Sequence, residues 1–453
     1  MKRPFCLLLV ASNLFGLAPA NATVRPRYGG TLHVASAGAL ASLDPADDSP
    51  NDTAARFILP LVFDPLVSLD EQGVPKPALA TFWESDSSKQ RWQFHLRAGV
   101  TFSDGTPLSS GIVAASLRKG NPNWNISYTE AQVVIESATP DPLLLAELAL
   151  PWNRIAKRDD GKILGTGPFV VSQWNAGKKL VVMAREDHWG GRPFLDSVEV
   201  VMGKDPRDQM MAFDMGEEQV VEVAPEQARH AATESRRIQL SGQSELLALV
   251  FARAPQSDQD SKLRQALSLS IDRDLIDSVV LQDTGEATGA LLPNWMTGYA
   301  FVFPSKQDLS RAQQLRGEVQ QAPVWRLGFD GKDAAMRVVA ERIALNARDA
   351  GLRLQLGDVS SADVRLLRIP LASQDAGEAL NQLARMLDLS APIFVDNSDN
   401  GLYTAERNLL QSGRVVPLLQ LRVAHAVSAN VGGWRSAEDG SWNLVGVWLA
   451  GKP

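Results

Sequence analysis

Cysteine is almost missing. Cys6 stands alone in 453 residues, so no internal disulfide can form and no sulfur-rich tetrahedral zinc site can be assembled. Histidine is scarce as well: His33, His95, His188, His230 and His425 are scattered and no two are four residues apart, which removes the usual helical metal-binding pattern. Positive charge is in deficit, with 45 Lys and Arg against 52 Asp and Glu and a formal charge of −7. That balance argues against nucleic acid as a partner. Beyond the N-terminus no apolar run approaches the roughly 18 residues that span a bilayer; the stretch Leu143 to Leu150 is broken by Glu147. There is no repeat, charge block or low-complexity tract. There is also no G-x-S-x-G elbow, and Gly328 to Asp333 is too short and wrongly ended for a phosphate loop. Ser116-Leu117-Arg118-Lys119 fits S-x-x-K and Ser398-Asp399-Asn400 fits S-D-N, but they lie far apart and K-T-G is absent, so they do not make a hydrolase. No catalytic residue, cofactor or metal ligand is expected.

What is present begins with an export label. Lys2 and Arg3 precede an apolar stretch from Leu7 to Leu17, and Ala20-Asn21-Ala22 has the small residues that a signal peptidase accepts. Cleavage is expected after Ala22. It would remove Cys6, which precedes the apolar stretch and so is not placed to carry a lipid; a free protein in an oxidising compartment follows. Beyond the leader, strands and helices are mixed. Short β-branched or aromatic runs bounded by turn formers predict strands at Thr31 to Val34, Trp92 to Leu96, Val198 to Met202, Leu246 to Phe251 and Trp325 to Phe329. Between Asp260 and Gln282 the apolar positions recur at helical steps, with Asp272 placed to restart a turn. Met336, Val339, Ala340, Ile343 and Ala347 mark one face of a helix over Asp333 to Gly351, followed by an alternating run from Leu352 to Leu356. Strand, helix, strand in that order predicts an α/β fold.

A series of local motifs resembles one family over most of the chain. Gly29-Gly30-Thr31-Leu32 and Ser42-Leu43-Asp44-Pro45 are followed, in family order, by Pro77-Ala78-Leu79-Ala80, Phe94-His95-Leu96-Arg97 and Ser103-Asp104-Gly105-Thr106-Pro107-Leu108. Gly165-Thr166-Gly167-Pro168-Phe169, Trp189-Gly190-Gly191, Arg264-Gln265-Ala266-Leu267, Ile271-Asp272-Arg273 and Val416-Pro417-Leu418 continue it. Together they resemble the family 5 extracellular solute-binding proteins, the dipeptide, oligopeptide and nickel receptors of ABC importers. Several of these motifs also have a purely structural reading: Ser103 to Pro107 reads as a turn in which Thr106 caps a helix begun by Pro107. The resemblance implies a two-lobed periplasmic-binding-protein fold with an extra domain inserted in the first lobe. Carried over by motif, lobe one covers 28–71, 164–253 and 431–453, the inserted domain 72–163, and lobe two 254–430, with crossings near 253 and 431 as the hinge. It further implies a monomer that closes on a ligand and is recognised by a membrane permease.

The same resemblance suggests ligand contacts. The loop from Asp47 to Thr53, with Asp48, Ser49 and Asn51, lines the cleft in the family, and Glu222 stands where lobe one faces the opening. Peptide receptors neutralise the ligand amine with an acid at the position that here holds Ala372, leaving Asp375 as the nearby replacement. Trp295 and Trp434 offer ring faces, and Arg368 offers a partner for a carboxylate. A zwitterionic peptide is the expected ligand, ahead of an oligosaccharide or another polar solute. The alternative is a secreted interaction scaffold derived from such a receptor.

Overall fold

The computed structural model describes residues 25–47, 53–225, 227–228, 231, 236–392, 394 and 399–450. The leader and the loop residues Asp48, Ser49 and Asn51 lie outside them. The described chain opens on β1 (Thr31–Ala35), whose alternation buries Leu32 and Val34 in a core shared with Ile58, Leu59 and Val62 of α1 (Ala55–Val62). It then leaves that core altogether. β2 (Ala80–Ser85), β3 (Arg91–Leu96), α2 (Ser110–Gly120), β4 (Asn125–Tyr128) and β5 (Gln132–Glu136) build a separate antiparallel sheet in the order β2-β3-β5-β4. Phe94, Phe102, Val113, Leu117 and Ile135 fill a hydrophobic cluster of its own beneath it.

Glycines allow the chain to return. Gly167 donates its N–H to Val62 O at 2.9 Å, and a Cβ on Gly165 would fall 1.9 Å from that same oxygen. No larger residue fits so close to the end of α1. The Ser103 to Pro107 segment is indeed a turn, with Gly105 at φ +82 and Asp104 Oδ1 accepting the N–H of Thr106 at 3.0 Å. Thr106 is not the helix cap, however. α2 starts three residues later, and Ser109 takes that role by accepting the N–H of Ile112.

The remaining strands extend the sheet begun by β1. In chain order the elements are β6 (Phe169–Asn175), β7 (Lys179–Ala184), β8 (Ser197–Val201), β9 (Val220–Val223), β10 (Ile238–Phe251), α3 (Asp258–Ser270) and β11 (Val324–Phe329). Then come α4 (Ala334–Asp349), β12 (Arg353–Asp358), β13 (Val364–Pro370), α5 (Ala376–Met386) and β14 (Val415–Val427). Their order is β6-β7-β8-β1-β9-β14-β10-β13-β11-β12, with Gly285–Ala287 paired to β14 off that path. The expected strand-helix-strand unit is β11-α4-β12, with β11 and β12 parallel. Asp333 caps α4 through the N–H of Met336 and Gly351 ends it at φ +77. The helix expected over Asp260 to Gln282 is broken: α3 stops at Ser270, and Asp272 Oδ1 caps a new turn at Leu275 N.

β10 and β14 run through both halves of the sheet. In β10, Leu247, Leu249 and Phe251 face one core while Leu246, Ala248 and Val250 face another, so both faces are covered and the strand reads as a continuous apolar run. Both cores belong to the second half. At the other end of the same pair, Val427 packs into the first-half core around β1. The pairing of β10 with β14 is irregular between Leu240 and Glu245. The halves therefore meet inside these strands: Leu246–Phe251 pack in the second-half cores and Val427 in the first-half core, so one pair of long strands serves both.

Candidate functional site

Segments remote in sequence converge on the loop 371–377 that joins β13 to α5. From the first half, Arg56 of α1 donates Nη1 to Leu371 O at 2.7 Å and to Asp439 O at 3.0 Å. From the hairpin leading to the separate sheet, Gly73 sits so close that an added Cβ would lie 2.6 Å from Gln374 O. Leu143 closes on Gly377 in the same way, at 2.9 Å.

Two cavities flank this loop and share Gln374. The first, of about 530 Å³, is lined by Glu71, Asp375, Asp399 and Glu438, with Trp295 and Leu143 among its apolar walls. No Lys, Arg or His is among its described lining residues. The second, of about 490 Å³, has Arg56, Arg154 and His188 in its wall together with Asp64, Ala372, Asp439 and Trp442. Trp442 is stacked on Phe57 with ring centroids 3.9 Å apart. Burial pushes the Arg154 guanidinium down to about 10. Burial pushes Asp64 up, but the His188 ring 3.8 Å away and hydrogen bonds from Trp189 and Thr166 outweigh it and hold that carboxyl below its ordinary value. Trp189 of the Trp189-Gly190-Gly191 motif donates its indole N–H to Asp64 Oδ2 at 2.8 Å and lies under Arg97.

Four buried polar atoms of residues lining the cavities lack a hydrogen-bond partner among the described residues: Gln374 Oε1, where the cavities meet, and Arg154 Nε, His188 Nε2 and Trp442 Nε1 in the second. Gln374 Oε1 is an acceptor without a donor, while Arg154 Nε and Trp442 Nε1 are donors without an acceptor. Unsatisfied groups of this kind are costly unless something else fills them. No group of three or more His, Cys, Asp or Glu among the described residues is arranged to hold a metal ion.

Residues 74–378 match the family described as bacterial extracellular solute-binding proteins, family 5. The chain belongs to that family. The nickel-binding periplasmic protein of Escherichia coli (strain K12) is 26% identical over 364 residues, covering 69% of this family 5 chain and 68% of that protein. Protein XP55 of Streptomyces lividans is also 26% identical, with 53% of its length covered, so against that relative the match spans about half. Among solved structures, the ABC transporter-associated periplasmic binding protein DppA of Helicobacter pylori, in complex with peptide STSA, superposes with a TM-score of 0.79 at 18% identity. The superposition covers 94% of this chain and 99% of that one. NikA of Staphylococcus aureus, in complex with Ni(L-His)2, gives 0.78 at 15% identity, covering 93% and 100%. At such identities the likeness is one of fold, and the fold is the two-lobed one.

Of the contacts expected from sequence, Trp295 and Asp375 are brought together in the first cavity of this family 5 protein. Asp375 is not a free carboxylate. Its Oδ1 accepts the N–H of Glu378 at 2.8 Å and caps α5, and burial raises its pKa. Arg368 lines neither cavity. Its Nε and Nη2 both reach Glu245 Oε2, at 2.9 and 2.6 Å, and Nη1 lies 3.5 Å from Asp333. The guanidinium is consumed internally, which corrects its expected role as a carboxylate partner. Glu222 accepts the Ser36 hydroxyl at 2.8 Å, with burial raising its pKa and the Glu245 and Arg368 charges acting on it. It too lines neither cavity, and belongs to a polar cluster between the halves. Trp434 is 3% exposed and packs on Trp442 and His425, so it offers no ring face. Ser116, of the discarded hydrolase motif, is buried and accepts the N–H of Ala156 at 3.0 Å.

Sequence reasoning missed Arg56, Arg154, Gln374 and Trp442. Gln374 had a signal, being two residues from the position that holds an acid in peptide receptors. The others had none, since Arg56 sits in a short apolar helix and Trp442 in a loop, and only the fold puts them beside residue 372.

Proposed function

We propose that this family 5 protein is the solute receptor of an ABC importer and captures a small peptide or a similar dipolar solute between its lobes. Two of the unpartnered atoms carry this reading: Gln374 Oε1 and Arg154 Nε border cavities that meet at one residue, the first with acids alone among its charged lining residues and the second with Arg56 and Arg154 beside Asp64 and Asp439. A zwitterion laid across Gln374 would put its ammonium among Glu71, Asp375, Asp399 and Glu438 and its carboxylate toward Arg56 and Arg154, while its backbone N–H would satisfy the glutamine. Trp295 supplies rigid area in the first cavity. Closure on the ligand is what a permease would recognise, and the hinge is the irregular stretch of β10 and β14 between Leu240 and Glu245. The protein acts in the periplasm as a monomer, its chain starting at Thr23 after removal of the leader; N-terminal sequencing that finds Met1 retained would refute that start.

Titration calorimetry with short peptides tests the ligand. A free tripeptide should bind, and at 100 times its Kd it should stabilise the fold by about 2.7 kcal/mol. Acetylating its amine or amidating its carboxylate should each weaken binding at least tenfold. Equal binding of free and doubly blocked peptides would refute the dipolar arrangement. One observation favours the scaffold alternative: Asp375, the carboxylate nearest the expected amine position, is already engaged as a helix cap. A broad panel of peptides, sugars and metal chelates that leaves Tm unmoved would put that reading first.

A further inference from the structure

We propose a second binding site, outside the interlobe cleft, that takes the protonated amine end of a small solute. It is a cavity of about 210 Å³ in the second half, between the 285–289 segment, β14 and the 294–303 segment. Gln420, 2% exposed, lies in its wall. Its Nε2 donates to Leu291 O at 3.0 Å, which fixes the orientation of the amide, since the reverse would set oxygen against oxygen. Its Oε1 is therefore an acceptor, and it has no partner. Gln243, 7% exposed, spends its amide N–H on the Glu286 carboxylate. Glu286 is the one charged side chain among the described lining residues, and no cation from the wall neutralises it. Phe303 closes the floor, and Phe301 stands at the rim with 79% of its surface exposed.

An unsatisfied buried acceptor beside an exposed carboxylate, in a wall with no cation among its described residues, favours a donor that carries positive charge. An anion is opposed by Glu286 and would leave Gln420 Oε1 unpaired. The volume lies below the roughly 300–1,000 Å³ usual for larger ligands, so the group is an ammonium on a short alkyl chain, with the methylenes against the two phenylalanines. Water would satisfy Gln420 but would gain nothing from the Glu286 charge. The site shares no lining residue with the cavities at Gln374, so it stands or falls apart from the peptide reading.

The test uses the full chain with n-propylammonium chloride as probe and 1-propanol and propionate as shape-matched controls, read by ligand-observed NMR and by a crystal structure with the probe soaked in. The probe should bind saturably and be seen at Gln420, and the controls should not bind. Glu286→Gln should weaken it at least tenfold and Gln420→Leu at least fivefold. Should Gln420→Leu fail to fold, the exposed Glu286→Gln decides alone. Equal binding of propylammonium and propanol overturns the proposal, as does a cavity that holds only water. So does probe binding that survives Glu286→Gln unchanged, because the amine is then held elsewhere, for instance among the cleft acids.

Discussion

The separate domain built on β2 to β5 meets the rest of the protein at several polar contacts, and two of them are opposite in kind. Toward the first half, Asp44 receives Arg158 on both carboxylate oxygens and Lys119 Nζ on one. Burial works against this acid, yet the Arg158 and Lys119 hydrogen bonds hold it down at about 2. Toward the second half, the Glu147 charge acts on Glu378 of α5, to which Gln382 and Asn381 donate, while Arg385, 3.7 Å from Glu147 Oε1, acts on both acids. Burial, with the charge of Asp141, pushes Glu147 up to about 7; burial, with the charge of Glu147, pushes Glu378 up to about 8. Glu378 is 0% exposed. One joint is neutralised and holds at all moderate pH. The other is frustrated, because burial opposes the charge on both of its acids.

The comparison is broken most severely by Asp44→Ala. It removes the acid shared by Arg158 and Lys119, leaving Lys119 with Asp47 alone at 3.3 Å, and should cost about 2–3 kcal/mol, within the range for hydrogen bonds to charged groups, read as a fall in the midpoint of urea unfolding. A loss under about 1 kcal/mol would show that the first joint is no firmer than the second.

The two joints should also respond to pH in opposite senses. Asp44 has a folded pKa below its ordinary 3.8, so its contribution is present above that value and is lost as pH falls through about 2. Glu147 and Glu378 have folded pKa values above their ordinary 4.5. The folded state then holds protons that the unfolded chain releases, and stability drops as pH rises from about 5 to 8. Glu378→Gln should flatten that slope and gain on the order of 2 kcal/mol at pH 8 with little change at pH 5, measured as Tm against pH. An unchanged slope would mean the pair is not frustrated.

Smaller effects sharpen the picture at the loop both lobes share. Gln374→Leu should weaken peptide binding about tenfold, or about 1.4 kcal/mol, with Tm of the free protein unmoved or raised, since an unpaired acceptor is removed. Unaltered affinity would exclude Gln374 as the junction. Ser116→Ala should cost about 1 kcal/mol of stability through the lost bond to Ala156 and leave ligand affinity unchanged. Covalent labelling of Ser116 by a fluorophosphonate would overturn its purely structural role.

Local order was readable because its causes are local. Asp333 and Gly351 mark the ends of α4 by capping chemistry that works over a few residues, and the Leu246–Phe251 end of β10 announces its two covered faces as an unbroken apolar run. Asp375 should have been read by the same logic. Asp375-Ala376-Gly377-Glu378 has the spacing of an N-cap with an acid three residues on, and α5 begins there. Arg368 was harder: nothing near it in sequence announces Glu245, which reaches it only because β13 pairs with β10 in the register Leu247↔Arg368.

By itself, then, the sequence determined the α/β class, the family and the boundaries of several elements, because periodicity, capping and turn chemistry act between neighbours along the chain. Tertiary structure alone decided which charges are spent and which are left over. Arg56, Arg154, Gln374 and Trp442 become one site only when β10 and β14 carry the chain between halves and the loop 371–377 closes against α1. Hydrogen-bond satisfaction is a property of what surrounds an atom in space, and the atoms without partners at Gln374, Arg154 and Gln420 are visible only once everything else has found its place.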